Sequence, residues 1–123
     1  MSAHAAASRG YRENSVLTAP PERLVVMLYD GANRFLQQAV AAMRTDGYAA
    51  SNARLQRAEA IIDELLSTLD MDQGDVAERL QSIYLFCRRT LMEARLEQDP
   101  AKVEQVAGLL RELRGAWAAV AGE

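Results

Sequence analysis

The side chains in this chain that could do chemistry are few, and they are badly placed for one another. There is one cysteine, Cys87, and one histidine, His4, in 123 residues. His4 lies in a run of small N-terminal residues, MSAHAAASRG, so no imidazole on a regular element can act as base for the Cys87 thiol. A thiol without a base or a cationic neighbour behaves as a small apolar side chain. Glu59, Asp63 and Glu64 fall on consecutive helical turns, and Glu59 and Asp63 are like charges four residues apart. A general acid–base pair needs surroundings that push two pKa values apart, and nothing else in the sequence converges on these carboxylates. A solvated helix face is the simpler reading. Arg88-Arg89 reads as a solvated pair beside an apolar stripe, with an acidic partner as the alternative. A ferritin-like metal site would need inward Glu-x-x-His pairs, which are missing. The seven glycines are scattered, so no phosphate-cradling loop is present. The expectation is a protein that is not an enzyme and needs no cofactor and no metal.

Composition bounds the rest. Half of the residues are hydrophobic, a quarter are charged and 6% are aromatic. This is a globular composition rich in helix formers. A net charge of −3 speaks against nucleic acid as a partner, because phosphate neutralisation needs a basic face. No apolar run approaches the ~20 residues that would span a bilayer, so no membrane insertion is expected. The first ten residues lack the apolar core of a secretory signal. With one cysteine and no intrachain disulfide, the expected location is cytoplasmic.

The elements that must position these side chains are helices. Residues 18–43, TAPPERLVVMLYDGANRFLQQAVAAM, open on Pro20-Pro21-Glu22, with proline where its missing N–H is harmless and an acid at the positive end of the dipole. Leu24, Leu28, Ala32, Phe35 and Ala39 follow at spacings of three and four, flanked by Val25, Leu36, Val40 and Met43. Thr45-Asp46-Gly47 is a turn signal. A second helix is expected over about 49–69, with Leu55, Ala58, Ile62, Leu65 or Leu66 and Leu69 facing inward and Ile61 as a flank. After a polar loop at 70–75, with Asp75 as N-cap, a third is expected over about 76–97. Its stripe is Val76, Leu80, Ile83 with Tyr84, Cys87, Leu91 and Ala94. Asp99 and Pro100 restart the chain. The fourth helix carries a heptad seam, Val103, Val106, Leu110, Leu113, Trp117 and Val120.

Short loops force antiparallel neighbours. The fold class is therefore all-α: an antiparallel four-helix bundle over residues 18–123, with an extended N-terminal tail over 1–17. Tyr11, Val16 and Leu17 are apolar residues on that tail without helical period, so they are expected to dock in a groove. Within the first helix Tyr29 reads as a boundary aromatic with its hydroxyl in water, and Gly31 as a point of close helix approach.

TAPPERLVVMLYDGANRFLQQA resembles the first helix of the flagellar secretion chaperone family FliS, which shows Thr-Ala-Ser-Pro, an apolar stretch and Leu-Tyr/Phe-Asp-Gly-Ala. The counterparts are residues 18–21 and 28–32. Ala60-Ile61-Ile62-Asp63-Glu64-Leu65 is similar to the family's second helix. Leu69-Asp70 to Gly74, then Val76-Ala77 and Leu80, resemble its loop and third-helix start. Tyr84, the run 89–95, and Leu109-Leu110 to Trp117 continue the likeness, and Tyr11 with Val16 fits the family's N-terminal segment. One departure is Pro20, where the family usually has serine. The lost capping hydroxyl costs about 1 kcal/mol.

The resemblance implies a chaperone of the bacterial cytosol that binds the disordered C-terminal region of flagellin, prevents early polymerisation and delivers it to the flagellar export apparatus. The over-wide apolar faces of the second and third helices then suggest where the client lies: Ile61, Leu65, Ile83, Tyr84, Cys87 and Leu91. Tyr11, Val16 and Leu17 would cover that groove when it is empty. The competing account of these faces is a central helix buried on several sides. The competing function is a helical dimerisation or adaptor bundle without a secretion client, paired as a homodimer through the fourth helix's seam.

Overall fold

A computed structural model describes residues 21–45 and 47–122. Four helices account for nearly all of them: α1 (Pro21–Thr45), α2 (Tyr48–Ser67), α3 (Asp75–Glu97) and α4 (Pro100–Val120). A 3₁₀ turn, Met71–Gln73, bridges α2 and α3. The helices form an antiparallel ring in which α1 packs closely on α2 and α4, and α3 closes the ring more loosely against the same two. The all-α bundle expected from the periodicity is the fold observed. Tyr11, Val16, Leu17, Pro20 and His4 lie outside the described residues.

Small residues explain the tight α1 contacts. Ala32, Ala39 and Ala42 of α1 are buried, as are Ala58 of α2 and Ala107 of α4, so backbones approach where larger side chains would hold them apart. Gly31 acts in the same way. A Cβ added there would stand 3.3 Å from Ile61 Cδ1, tighter than ordinary van der Waals contact. Leu36, Leu55, Ile62, Leu91, Val103, Val106 and Leu110 fill the centre and are fully buried. Each contributes about 1.5–3 kcal/mol by leaving water.

The ends follow local chemistry. Asp99 caps α4 by accepting the Ala101 N–H at 2.9 Å, with Pro100 at the first helical position. The cap of α3 differs from expectation. Asp75 is the first helical residue, and the cap position belongs to Gly74 at φ 72°, where an L side chain would be strained. Asp70 instead caps the 3₁₀ turn through the Asp72 N–H at 3.0 Å. α2 starts at Tyr48, one residue after Gly47 at φ 91°, and ends at Ser67 because Thr68 turns its hydroxyl onto the Leu65 carbonyl.

Three other expectations are corrected. Tyr29 is no boundary aromatic: it is wholly buried, and its hydroxyl meets that of Tyr84. Glu59 is not on a solvated face. It is 8% exposed and held by both Arg88 and Arg95, while Arg88 also reaches Asp63. Two α3 cations clasp two α2 carboxylates, a cross-helix pairing that single-helix spacing does not reveal. Finally, the α4 seam is spent inside the bundle through Val103, Val106 and Leu110, and its last position, Val120, is exposed. The seam is therefore not a surface for pairing chains.

Candidate functional site

α1 and α3 begin at the same pole of the bundle at which α2 and α4 end. The four helix ends do not meet there. They enclose a cavity of about 810 Å³. α1 supplies Leu24, Val25, Met27 and Leu28, and α2 supplies Leu65, followed by Leu69 just beyond its end. α3 supplies Val76, Ala77, Leu80 and Tyr84, and α4 supplies Trp117. Polar groups, among them Arg34, Glu64, Thr68, Asp70 and Gln73, complete the lining. The volume and the mostly apolar lining with a few polar groups are those of a site that takes apolar side chains.

The floor is ordered by a hydroxyl pair. Tyr29 Oη and Tyr84 Oη stand 2.6 Å apart, with ring centroids 6.5 Å apart and planes tilted by 47°. Burial raises the pKa of both phenols, so both keep their protons at physiological pH. The nearby Trp117 indole opposes part of that rise for Tyr29. Burial alone pushes the Cys87 thiol up to about 11, which leaves it protonated and inert as a nucleophile at neutral pH. Among the described residues no group of three or more His, Cys, Asp or Glu side chains could hold a metal ion. No described helix is long and apolar enough to cross a membrane.

The residues singled out in the sequence divide into three groups. Leu65 and Tyr84 line the cavity. Ile61 and Ile83 are half-buried flanks packed on the core, away from the cavity lining. Cys87 and Leu91 have no exposure at all and are interior packing. α3 turns those two positions toward the bundle axis, so they cannot touch a ligand without the core opening. Leu24, Leu28, Leu69, Val76, Leu80 and Trp117 were not anticipated as lining. The signal was present. All six are apolar, and each lies near the helix end that an antiparallel bundle brings to one pole. Read along single stripes, they looked like the ends of core faces. A second exposed apolar feature runs along the outer side of α3, where Leu85, Met92 and Leu96 are 49%, 47% and 73% exposed.

Comparison with known proteins fits this geometry. The family described as Flagellar protein FliS matches residues 3–123. The Flagellar secretion chaperone FliS of Salmonella typhimurium is 36% identical over 107 residues, covering 85% of this chain and 79% of its own. That of Bacillus subtilis is 33% identical over 107 residues, covering 87% of this chain and 80% of its own. That of Campylobacter jejuni is 31% identical over 112 residues, covering 90% and 88%. These relatives are named as chaperones, in keeping with a site that offers apolar surface and a protonated thiol. A four-helix bundle with an open apolar pole, matched by this family over nearly its whole length, belongs to the FliS family of flagellar secretion chaperones.

Proposed function

We propose that this chain is a cytoplasmic export chaperone that binds the disordered C-terminal segment of flagellin, prevents its premature polymerisation and delivers it to the flagellar export apparatus. The observation that carries the reading is the mostly apolar cavity of about 810 Å³ lined by residues of all four helices at one pole. A disordered segment that later packs in a filament carries an apolar stripe, and that stripe needs cover before assembly. Docking of an amphipathic helix into a groove supplies it. Tyr84 and Leu65 lie at the client contact, with Leu24, Leu28, Val76 and Leu80 around them.

Residues 1–17 are read as the cover of the empty cavity. Pro21 stands on the cavity lining, and Leu17 and Val16 lie only four and five residues before it. An extended chain spans roughly 3.3–3.6 Å per residue, so four or five residues give length enough for either to reach the cavity lining. Calorimetry against the last ~40 residues of the host's flagellin tests both ideas. Binding coupled to folding gives a large negative heat-capacity change. Deletion of residues 1–17 is expected to tighten binding and to raise apolar-dye fluorescence. No binding at micromolar peptide overturns the client reading, and unchanged affinity and dye signal overturn the cover.

The exposed α3 stripe, Leu85, Met92 and Leu96, supports a second reading in which two copies pair side by side as a homodimer or adaptor without a client. Light scattering with and without the flagellin peptide separates the two. A dimer that persists unchanged when peptide is added favours the second reading.

A further inference from the structure

The cavity floor carries a hydrogen-bond donor that the packing leaves over. Tyr29 and Tyr84 bring two hydroxyl protons to a single 2.6 Å contact, so one O–H is used in it and the other is not. Which one is left follows from position. Both tyrosines are buried, Tyr29 at 0% and Tyr84 at 2% exposure, but Tyr84 lines the cavity and Tyr29 does not. If Tyr84 donated, the remaining O–H would be that of Tyr29, sealed in the core with no second acceptor among the described residues. If Tyr29 donates, the remaining O–H belongs to Tyr84, on the cavity wall, where water or a bound molecule can accept it. An unmade buried hydrogen bond is expensive, so the second arrangement is the stable one. The pair therefore runs in one direction, from Tyr29 to Tyr84, and ends at the cavity.

We infer that the Tyr84 hydroxyl is the specificity-determining donor of the cavity, recognising one uncharged carbonyl acceptor on an otherwise apolar peptide segment. The surroundings set this chemistry. Leu28, Leu65 and Leu80 share the lining with Tyr84, and a carboxylate placed among them would have to be desolvated. A carboxamide or a free backbone carbonyl meets the donor without that penalty. When an apolar segment fills the cavity it expels the water that served as acceptor. A segment without a carbonyl at this point leaves the O–H unmet, and the site rejects it. Apolar volume then selects for a hydrophobic stripe, and Tyr84 selects the register of that stripe.

This inference rests on the flagellin reading above, and the experiment keeps the two separate. Wild type and Tyr84→Phe, both as full chains, are titrated calorimetrically with the flagellin C-terminal peptide. Each is also titrated with peptides in which single Asn or Gln residues are replaced by Leu. Tyr84→Phe is expected to weaken the parent peptide roughly three- to tenfold, the effect of one neutral hydrogen bond. If the acceptor is a side chain, one Leu-substituted peptide loses a similar factor with wild type and nothing further with Tyr84→Phe. If it is a backbone carbonyl, every substitution acts equally on both proteins while the parent still distinguishes them. Tyr84→Phe also removes the acceptor of the Tyr29 O–H, so its stability is measured alongside by thermal melting.

Should that variant fail to fold, tyrosine labelled with ¹³C at Cζ in the wild type reads the hydroxyl directly. The chain has four tyrosines, and Tyr11→Phe and Tyr48→Phe identify the two that are not in the cavity-floor pair. Addition of peptide is expected to shift a signal of that pair. Parent affinity within twofold of wild type in Tyr84→Phe, or no shift of either signal of the pair, overturns the inference and leaves the client reading standing. Absence of binding to wild type removes both.

Discussion

Cys87, Tyr29 and Tyr84 share one buried neighbourhood in the core, and their protons are locked there by desolvation. Burial raises all three pKa values, the thiol to about 11. The sign of the stability effect follows directly. In the unfolded chain the thiol ionises near its ordinary value of 9.0, while in the folded protein it keeps its proton up to about 11. Across that window the folded state binds more protons than the unfolded state, so stability is fully present below pH 9 and falls as pH rises toward 11. The loss is on the order of 2–3 kcal/mol for the thiol, and the phenols extend it further upward. Denaturant melts from pH 7 to pH 11 check this. Cys87→Ala is expected to remove the part of the decline that begins below pH 10. A wild-type stability that stays flat to pH 11 would contradict the assignment.

At the scale of elements, α3 is the helix with the fewest close backbone contacts, and its attachment is correspondingly polar. Glu59 of α2 is bracketed by Arg88 and Arg95 of α3, and Lys102 of α4 holds Glu93 and Glu97 of α3. The two clusters differ in burial and therefore in worth. The Glu59 side chain is 11% exposed and its two arginines 37% and 22%. Glu59→Ala would strand the Arg95 guanidinium and leave Arg88 with Asp63 alone, with an expected cost of roughly 1–3 kcal/mol. Arg44 and Glu104 join α1 to α4 with both side chains at least half exposed, at 61% and 50%. Glu104→Ala is expected to change stability by less than about 0.5 kcal/mol. Urea unfolding of the two variants measures the contrast, and equal effects would refute it. The Asp30 and Arg114 pair between α1 and α4 also explains the acid next to Tyr29: it fixes the face that carries the tyrosine into the core.

For the whole molecule, the loose attachment of α3 and the cavity at the pole belong together. Tight α1 packing on two sides leaves the pole between α1 and α3 unfilled, and that void is the cavity. Val76 tests its role without disturbing the core, because it lines the cavity and yet is 65% exposed. Val76→Asp is expected to leave stability within about 0.5 kcal/mol, as exposed substitutions do. It should weaken flagellin-peptide binding at least tenfold by placing a charge where an apolar stripe must seat. Calorimetry and a urea melt on the same preparation decide the matter. Full affinity in Val76→Asp would move the client contact to the outer α3 stripe of Leu85, Met92 and Leu96.

The sequence by itself determined the four helices, their antiparallel order, the Asp99-Pro100 restart and the family, because these depend on local periodicity, capping chemistry and motif order. It also placed Tyr84, and either Leu65 or Leu66, on inner faces. Only the tertiary structure decided what inward meant at each level of α3. Tyr84 reaches the open pole, whereas Cys87 and Leu91, at helical spacing further along the same stripe, are sealed in the core. Helical spacing reports the face of a residue and not its height along the bundle. Height separates cavity from core here, since the cavity lies at one pole of the bundle. For the same reason Leu24, Leu28, Val76, Leu80 and Trp117 looked like ordinary core positions until four helix ends were brought to one place. The Tyr29–Tyr84 contact and the Glu59 clasp join residues 55 and 36 positions or fewer apart in the chain, and distances of that kind exist only once the bundle has formed.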